Sequence, residues 1–283
     1  MSSVRGKVAV VTGAGSGIGR NLAFELAKRG ARLAVSDVDP RGLRETADRA
    51  GALGAEVHAA PLDVSDRDAV VAHAAAVADR FGVVHQVYNN AGVSGGGRTV
   101  LEADWEVYER TLAVNLFGVV HGTKAFLPHL IASGDGHVVN VSSLNGYFAQ
   151  PTLSAYTASK FGVRGFTETL RTEMLAAGHP VQVTVVHPGG VKTAIATSSL
   201  RDARAQGLEP TPEQLHRARV YDEKLLTMPA GRAARIIVDG VEAGSPRIRV
   251  GTDAKLVDLL VRLAPRRYPR LAVALERRTF GGS

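Results

Sequence analysis

Thr12-Gly13-Ala14-Gly15-Ser16-Gly17-Ile18-Gly19 follows the apolar run 8–11 and precedes a segment with helical periodicity, 21–29. Glycines permit a tight turn and a close approach of the backbone to a ligand, and a helix N-terminus offers unpaired N–H groups to a pyrophosphate. Ile18 sets the spacing apart from the ordinary G-x-G-x-x-G pattern. Because a glycine-rich turn after a strand is often only a turn, the motif alone leaves dinucleotide binding open.

Short β-branched runs alternate with longer helical segments along the rest of the chain. The predicted strands are 8–11, 32–36, 56–60, 84–88, 137–142, 181–187 and 247–250, and the clearest helical segments are 21–29, 41–53, 66–81, 105–131 and 155–177. This alternation predicts an α/β fold, a doubly wound Rossmann-type sheet of about seven parallel strands with helices on both faces. No repeat and no Pro/Ser-rich linker divides the chain, so we expect a single domain, 1–283.

Two local features add detail to this plan. Ser65 and Asp68 have the spacing of a capping box at the start of the third helix. Between His187 and Arg247 the pattern shows no strand over about sixty residues. An excursion of that length inside a compact domain is usually functional, which predicts a substrate lid at about 190–230.

Composition excludes several classes of protein. The 283 residues are 45% hydrophobic and contain no cysteine, so disulfides, a thiol nucleophile and a cysteine-ligated zinc are ruled out. No apolar run reaches the ~18 residues of a membrane span, and residues 1–7 do not resemble a signal peptide. We expect a soluble globular protein of a reduced compartment, the cytoplasm, and no metal site.

The net charge of +7 lies mostly in one segment. The last 23 residues hold six arginines against Glu276 and carry +5, which leaves +2 for the other 260 residues. A nucleic-acid role therefore has little support. The tail, about 253–283, interleaves Leu, Val and Ala with arginine over 256–278. We favour a helix that packs on the body or at a subunit contact with a solvated basic rim; peripheral attachment to an anionic membrane is the alternative.

Asp37 strengthens the case for dinucleotide binding. It follows the second predicted strand and lies 18 residues beyond Gly19, close to the spacing of a carboxylate that bonds a ribose 2′-OH. It could instead be a turn or cap residue before Pro40. No basic residue stands beside it and Ser16 occupies the glycine turn, which favours NAD over NADP. Arg20 and Arg41 keep NADP open.

Tyr156 and Lys160 share a helix face at positions i and i+4. A nearby ammonium, together with a cationic nicotinamide, favours the phenolate and would lower the pKa of Tyr156, so that its oxygen could exchange a proton with a substrate. Ser143 ends the predicted strand 137–142, at the edge where open α/β sheets place ligands. A hydroxyl there could polarise a substrate oxygen. The neighbouring Ser142 fits a cap or loop hydroxyl better.

Together these motifs resemble the single-domain branch of the short-chain dehydrogenase/reductase family. The resemblance is close over 7–195 and looser beyond. Its pieces are Thr12 to Gly19, Asp63-Val64, Asn89-Asn90-Ala91-Gly92, Asn115, Ser143, Tyr156 with Lys160, and Pro188-Gly189 followed by Thr193. It implies an oxidoreductase acting on CH–OH with NAD(P), in a homo-oligomer that is a dimer or a homotetramer.

The resemblance also implies roles for single residues. Tyr156 would take or give the substrate proton, Ser143 would hold the substrate oxygen, Lys160 would tune Tyr156 and bond the nicotinamide ribose, and Asn115 would hold a relay water. The implied cofactor contacts are the glycine turn (Gly13, Gly15, Ser16, Gly17, Ile18, Gly19), Asp37, Asp63 and Val64 at the adenine, Asn90, Ala91 and Gly92 in the groove, and Pro188, Gly189, Val191 and Thr193 towards the carboxamide. By themselves, Asp63-Val64 could be a strand-end turn and Thr193 a helix cap.

The substrate walls would come from 93–98, 144–153 and the excursion after Thr193. Leu144, Tyr147, Phe148, Leu153, Ile195 and Leu200 make those walls apolar, which predicts a hydrophobic secondary alcohol or ketone. Two other functions stay open. A nucleotide-sugar epimerase or dehydratase would use the same Tyr/Lys pair, but usually with T-G-x-x-G-x-x-G and a longer substrate domain. A protein that holds dinucleotide without turnover would not need Ser143, Tyr156 and Lys160 together.

Overall fold

The computed structural model describes residues 3–95, 97–193, 195, 200, 209 and 211–280, apart from the side chain of Glu213. Parts of the predicted lid therefore lie outside the described residues. The strands of the main sheet are β1 (Val8–Thr12), β2 (Arg32–Asp37), β3 (Val57–Pro61), β4 (Gln86–Asn89), β5 (Gly136–Val141), β6 (Val181–Pro188) and β9 (Arg247–Val250). All seven predicted strands are confirmed.

The seven strands are parallel and lie in the order β3-β2-β1-β4-β5-β6-β9. The chain first winds outward from β1 to β3, then returns to the other side of β1 to add β4. This reversal between β1 and β4 is a topological switch point, where open α/β sheets bind ligands at the carboxyl ends of their strands. The predicted doubly wound sheet is confirmed.

Helices cover both faces of the sheet. In the described part of the chain they are α1 (Gly17–Lys28), α2 (Pro40–Ala52), α3 (Arg67–Phe81), α4 (Trp105–Leu112), α5 (Gly118–Ala132), α6 (Ser154–Ala176), α7 (Pro212–Val220), α8 (Ala230–Glu242), α9 (Thr252–Leu263) and α10 (Tyr268–Phe280). One core cluster packs α1, α2 and α8 on the sheet, and a second packs α3, α5 and α6 on its other face. Alternate strand residues such as Val10 and Val11 enter opposite clusters, as the pleat requires.

An ion-pair cluster holds α8 against α1. The Arg29 guanidinium contacts the carboxylates of Glu25, Asp239 and Glu242, each at 2.6 Å. These three carboxylates raise the pKa of Arg29 although its partial burial opposes them. Because the guanidinium can donate in several directions at once, one side chain joins two helices that are distant in sequence.

Polar side chains continue through the centre of the sheet. Asn89 donates to Asn140 Oδ1 at 2.8 Å and to Thr123 Oγ1 at 3.1 Å, and Asn140 donates to Thr167 Oγ1 at 3.0 Å. The chain of bonds links α5, β4, β5 and α6. All four residues are buried, so each bond offsets a desolvation that would otherwise cost roughly 1–3 kcal/mol.

Two local expectations are wrong. Asp66, not Ser65, caps α3: its carboxylate accepts from Asp68 N and Ala69 N at 3.0 Å, while Ser65 Oγ donates to Asp63. The excursion after His187 does contain strands, since β7 (Val191–Lys192) pairs with β8 (Met228–Pro229).

The tail also differs from a single helix. It forms two helices, α9 and α10, because Pro265 follows the end of α9 and cannot continue its hydrogen-bond ladder.

The predicted helix 105–131 is likewise interrupted. A π turn, Ala113–Phe117, separates α4 from α5.

The glycine turn gives a test of the packing at the switch point. A β-carbon on Gly19 would lie 2.1 Å from the Gly13 carbonyl oxygen, which is backbone and cannot rotate away. We expect Gly19→Ala to lower the free energy of unfolding by about 3 kcal/mol. Denaturant titration measures the loss.

The matched control is Gly51→Ala, also inside a helix, where an added β-carbon meets nothing within 4 Å. It should leave stability unchanged or raise it by about 0.5–1 kcal/mol, because alanine loses less backbone entropy than glycine on folding. Equal effects of the two substitutions would contradict the close approach at Gly19.

Candidate active site

A cleft of about 1340 Å³ opens at the carboxyl edge of the sheet, over the switch point. Most of the residues predicted for the site line it. They are Gly13, Gly15, Ser16, Gly17, Ile18, Asp37, Asp63, Val64, Asn90, Ala91, Gly92, Ser143, Leu144, Phe148, Leu153, Tyr156, Lys160, Pro188, Gly189, Val191 and Thr193. Gly19 and Asn115 do not line it. The fold therefore brings together residues from six strand ends that the sequence separates by up to 180 positions.

The glycine turn forms one floor of the cleft. Gly13 has φ +66°, and a β-carbon on it would lie 2.7 Å from Ala91 Cα. Asn90 fixes this contact by donating from Nδ2 to the carbonyls of Thr12 at 2.9 Å and Gly13 at 3.2 Å. Asn90 thus ties β4 to the turn besides lining the cleft. Gly19 acts underneath, where its lack of a side chain lets α1 reach the Gly13 carbonyl.

The start of α1 faces the cleft without a side-chain cap. Ser16 precedes the helix in an extended conformation and makes no side-chain cap hydrogen bond. The first-turn N–H groups and the positive end of the helix dipole favour a negative group here. Gly17, with φ +52°, comes next to Thr193, whose Cβ and Cγ2 would lie 3.2 Å from an added β-carbon. Thr193 therefore borders the glycine turn.

Asp37 is held at one end of the cleft by backbone donors. Its Oδ2 accepts from Gly15 N at 2.7 Å and its Oδ1 from Asp39 N at 2.9 Å. Each oxygen keeps a second lone pair for a ligand hydroxyl. The Arg20 guanidinium contacts Glu45 at 3.1 Å and donates to the carbonyls of Gly15 and Gly42. Neither Arg20 nor Arg41 lines the cleft.

Asp63 and Val64 lie at the outer side of the same end. Asp63 Oδ1 accepts from Ser65 N at 2.9 Å and from Ser65 Oγ at 2.7 Å, which makes a tight turn after β3. Val64 packs against Gly118, where an added β-carbon would lie 2.7 Å from Val64 Cγ2. Its carbonyl contacts His121 Nδ1 at 3.0 Å. Both side chains reach the cleft from a braced turn.

Ser143 and Tyr156 both line the cleft, and a side-chain interaction links their hydroxyls. Ser143 follows β5, and its carbonyl contacts the buried His187 Nδ1 at 2.7 Å, which fixes the strand end. Tyr156 lies on the first turn of α6. Burial raises the pKa of Tyr156, and the bond to Ser143 opposes the increase. The lowering expected from Lys160 together with a cationic nicotinamide concerns the cofactor complex and stays a prediction.

Lys160 lies beneath Tyr156, with its Nζ 5.7 Å from the Tyr156 ring centre. It is buried and donates to the Val141 carbonyl at 3.0 Å. Burial lowers the pKa of Lys160 to about 8, because the surroundings disfavour the ammonium. An ammonium has three donors, so the group keeps donors for a ligand. Ser142 acts as the structural hydroxyl, donating to the Lys160 carbonyl at 2.8 Å.

Asn115 sits behind the cleft in the π turn between α4 and α5. Its Oδ1 accepts from Val93 N at 2.8 Å, and its Nδ2 donates to the Val93 carbonyl at 2.9 Å and to Ser159 Oγ at 3.2 Å. These bonds tie the loop after β4 to the π turn, and the relay water expected at Asn115 stays a prediction. An added β-carbon on Gly92 would lie 3.1 Å from Asn115 Oδ1 and 3.5 Å from Lys160 Nζ. Gly92 therefore keeps the path between these groups open.

The turn after β6 is held by the tail. Asp253 Oδ2 accepts from Gly190 N at 2.6 Å, and a β-carbon on Gly189 would lie 2.2 Å from the Asp253 carboxylate. Pro188, Gly189 and Val191 thereby keep a fixed place at the cleft edge. No motif or periodic pattern in the sequence marks Asp253.

The walls around Ser143 and Tyr156 are largely apolar. Leu144, Phe148, Leu153, Ile195 and Leu200 line the cleft as predicted, joined by Val257 and Leu275 from the two tail helices. Tyr147 does not line it: its ring packs 4.8 Å from His187 and its hydroxyl donates to the Ala254 carbonyl at 2.6 Å. Its predicted place in the substrate wall is wrong, because it binds α9 to the loop instead.

A buried charged group closes this end of the cleft. Arg217 on α7 is 8% exposed, donates to Thr152 Oγ1 at 2.9 Å, and pairs with Glu276 on α10 at 2.6 Å. Its guanidinium lies 4.3 Å from the Phe280 ring centre. Thr152 has φ +63°, and among the described residues it is the only non-glycine residue with a positive φ. Arg217 thus joins α7, the loop at Thr152 and α10 over the cleft. Glu276, the one acid in the last 23 residues, was the sequence signal for this contact.

Within the described residues, no group of three or more His, Asp or Glu could hold a metal ion. Nor does any helix among them have the length and apolar character required to cross a bilayer.

Comparison with known proteins identifies the class. Residues 7–204 match the model of the short chain dehydrogenase family. The chain belongs to this family and is an oxidoreductase acting on CH–OH groups. It is 54% identical to SadH of Mycobacterium tuberculosis, named as an oxidoreductase, over 97% of this chain and 96% of SadH. Human estradiol 17-beta-dehydrogenase 11 is 39% identical over 68% of this chain and 60% of its own.

A solved structure matches over nearly the whole chain. The short chain dehydrogenase/reductase from Burkholderia phymatum, in complex with NAD, has a TM-score of 0.86 and 33% identity, covering 96% of this chain and 97% of its own. Relatives of the full length therefore share the tail as well as the sheet.

The burial of Lys160 predicts a pH-dependent cost. Its pKa is about 8 in the folded protein and 10.5 without its surroundings, so the unfolded chain binds the proton more tightly. The free energy of unfolding must then rise between about pH 8 and pH 10.5, and the penalty is full below pH 8. Lys160→Met removes roughly 3 kcal/mol of penalty and about 1 kcal/mol of hydrogen bonding.

We therefore expect Lys160→Met to be more stable than the wild type at pH 7 by roughly 2 kcal/mol and to lose this advantage by pH 10.5. Urea titrations over this range give the difference. Lys124→Met, on the exposed side of α5, is the control and should show no such pH dependence. A constant difference for Lys160→Met would refute the buried ammonium.

Proposed function

We propose that the protein is an NAD-dependent oxidoreductase that interconverts a hydrophobic secondary alcohol and its ketone, with Tyr156 as the acid/base. The observation that carries the proposal is the meeting of the Tyr156 and Ser143 hydroxyls above Lys160 Nζ in a cleft with apolar walls. The three groups come from β5 and α6, and each is braced by a protein contact of its own.

The cleft fits a dinucleotide from the glycine turn to Tyr156. The glycines form a cradle that side chains would fill: a β-carbon on Gly15 would lie 2.8 Å from Asp37 Cγ. The open N-terminus of α1 would hold the pyrophosphate, Asp37 the adenosine ribose, and Asp63 and Val64 the adenine. Lys160 would donate to the nicotinamide ribose, and the segment from Pro188 to Thr193 would hold the carboxamide.

A bound nicotinamide would supply the hydride acceptor for the carbinol carbon. The protein handles the proton. In oxidation, the Tyr156 oxygen accepts the hydroxyl proton as the carbonyl forms, and Ser143 donates a hydrogen bond to the same substrate oxygen. Because burial raises the pKa of Tyr156, its phenolate needs a nearby positive charge, which the Lys160 ammonium and an oxidised nicotinamide supply together. In reduction the neutral phenol donates that proton back.

The substrate class follows from the walls. Leu144, Phe148 and Leu153 line the cleft beside Ser143 and Tyr156, and the guanidinium of Arg217 is neutralised by Glu276. The cationic side chains of Arg110 and Lys224 also line the cleft. An apolar alcohol would bury its carbon skeleton against the leucines and Phe148. The human relative named above carries estradiol, a secondary alcohol on an apolar skeleton, in its name.

Removing the Tyr156 hydroxyl tests the chemistry. We expect Tyr156→Phe to lower kcat by roughly 10²–10⁴-fold, because no other group can exchange the substrate proton at that oxygen. The NADH affinity, measured by fluorescence titration, should stay within a few-fold. Tyr108→Phe is the control: its hydroxyl contacts Ser154 at 2.7 Å outside the cleft, and activity should persist.

Full turnover in Tyr156→Phe would refute the acid/base role. Absence of turnover by the wild type across a panel of apolar and charged alcohols with both cofactors, despite NADH binding, would favour a non-catalytic dinucleotide-binding protein.

Asp37 tests the cofactor preference. Asp37→Asn keeps an oxygen for the Gly15 N–H but removes the charge that repels a 2′-phosphate. We expect the NADP/NAD ratio of kcat/KM to rise at least about tenfold, equivalent to 1.4 kcal/mol. Initial rates with the two cofactors in parallel give the ratio.

The control for this change is Asp48→Asn, an exposed aspartate on α2 that does not line the cleft. It alters the net charge equally and should leave the ratio unchanged. A wild type that already prefers NADP, or an unchanged ratio in Asp37→Asn, would contradict the role of this carboxylate.

A further inference from the structure

The tail helix α9 carries an apolar stripe that faces away from the protein. Leu256, Leu259 and Leu263 are 67%, 54% and 77% exposed. Their spacing of three and four residues places them on one helix face. The opposite face, with Ala254 and Asp258, is the one buried against the body. These leucines therefore do not pack on the body, which was one half of the favoured interpretation from sequence; the other half, a subunit contact, is considered below.

Basic side chains border this stripe. Arg262 lies on α9, and Arg266, Arg267 and Arg270 follow it into the start of α10; all four are exposed. Within the described part of the chain, the last three make no ion pair. We call Leu256, Leu259, Leu263 and these arginines the basic leucine patch.

Among the described residues, Arg262 is the one arginine of the patch with an acidic partner. Asp258 is buried and shared by Arg247, Arg249 and Arg262, and Glu276 is paired with Arg217. Over residues 252–280 the chain has seven basic residues and three acidic ones. Leucines at the centre of a face with arginines at its border are the pattern of a helix that lies in a membrane interface.

Charge decides between the two occupants that an exposed apolar stripe could have. In a two-fold contact between copies, the patch would meet the same patch of the second copy, which would bring the arginines of both copies into one interface. Like charges in close contact cost free energy, whereas an anionic headgroup layer attracts each arginine by roughly 1 kcal/mol. The same surface thus disfavours self-association and favours an anionic bilayer.

We propose that the basic leucine patch docks the protein on an anionic lipid surface, with Leu256, Leu259 and Leu263 inserted among the acyl chains and Arg266, Arg267 and Arg270 at the headgroup phosphates. The same two helices supply Val257 and Leu275 to the cleft wall. Docking therefore places the apolar end of the cleft beside the phase in which hydrophobic alcohols dissolve.

Co-sedimentation with vesicles tests the proposal without reference to activity. The wild type should sediment with vesicles rich in phosphatidylglycerol, much less with pure phosphatidylcholine, and less again in high salt. The variant Arg266→Gln/Arg267→Gln/Arg270→Gln should bind the anionic vesicles roughly hundredfold more weakly. The variant Leu256→Ser/Leu259→Ser/Leu263→Ser should lose at least about tenfold.

Matched controls change the same chemistry elsewhere on the surface. Val71→Ser/Leu101→Ser/Leu175→Ser removes three exposed apolar side chains, and Arg44→Gln/Lys124→Gln/Arg171→Gln removes three exposed charges. Both should bind as the wild type does. Circular dichroism confirms that each variant is folded.

Three outcomes would overturn the proposal. The wild type could fail to bind anionic vesicles, or the controls could lose as much binding as the patch variants. Alternatively, the patch variants could dissociate an oligomer in light scattering with unchanged vesicle binding, which would make the patch a contact between copies. Activity of the wild type on a dissolved alcohol is independent of each result, so failure here leaves the proposed reaction standing.

Discussion

At the switch point, backbone from β1 and β4 comes closer than side chains allow. Gly13 lies against Ala91, and Gly19 lies against the Gly13 carbonyl, so that α1 begins directly beneath the end of β4. Asn90 holds the contact by donating to two carbonyls of the turn. This close contact sets the positions of other parts of the cleft. The Gly15 N–H fixes Asp37, and Thr193 contacts the turn at Gly17. If these backbone segments lay farther apart, the end of the cleft at the glycine turn would be separated from the end that holds Tyr156 and Lys160.

At the end of the cleft that holds Tyr156 and Lys160, the burial of ionisable groups costs free energy. Lys160 is buried with a single backbone acceptor, Val141, and burial lowers its pKa while it raises that of Tyr156. Both shifts disfavour charge, so the protein alone holds a neutral phenol over an easily deprotonated amine. Positive charge brought by an oxidised nicotinamide would then change the proton balance of Tyr156 most strongly in the complex that needs a base. The unfavourable burial would thus make the site responsive to the charge of a bound cofactor.

The sequence predicted the sheet because parallel strands buried on both faces are nearly continuous apolar runs, and it predicted the cleft because Gly, Asp, Ser, Tyr and Lys fell at strand ends and on one helix face. Local chemistry was harder. Asp66 replaced Ser65 as a cap because neighbouring polar residues compete for the same N–H groups, and Tyr147 proved to be a contact for α9. Arg217 and Thr152 carried no periodic signal, since their pairing spans 65 residues and depends on the tail.

The tail helices α9 and α10 contribute one face to the cleft wall and another to the outer surface of the protein. These two faces link the proposed reaction to the proposed lipid surface. Tyr147, Asp253 and Arg217 hold α9 and α10 against the substrate loop, the turn after β6 and α7, so these helices cannot leave without opening the cleft. Their buried faces are therefore committed to the site. The described side chains on the outer face make no such contacts. The exposed leucines and arginines there do not stabilise the fold. Because water-exposed leucines neither stabilise the fold nor shape the cleft, their position on the helices that wall the substrate is best explained by the surface from which an apolar substrate arrives.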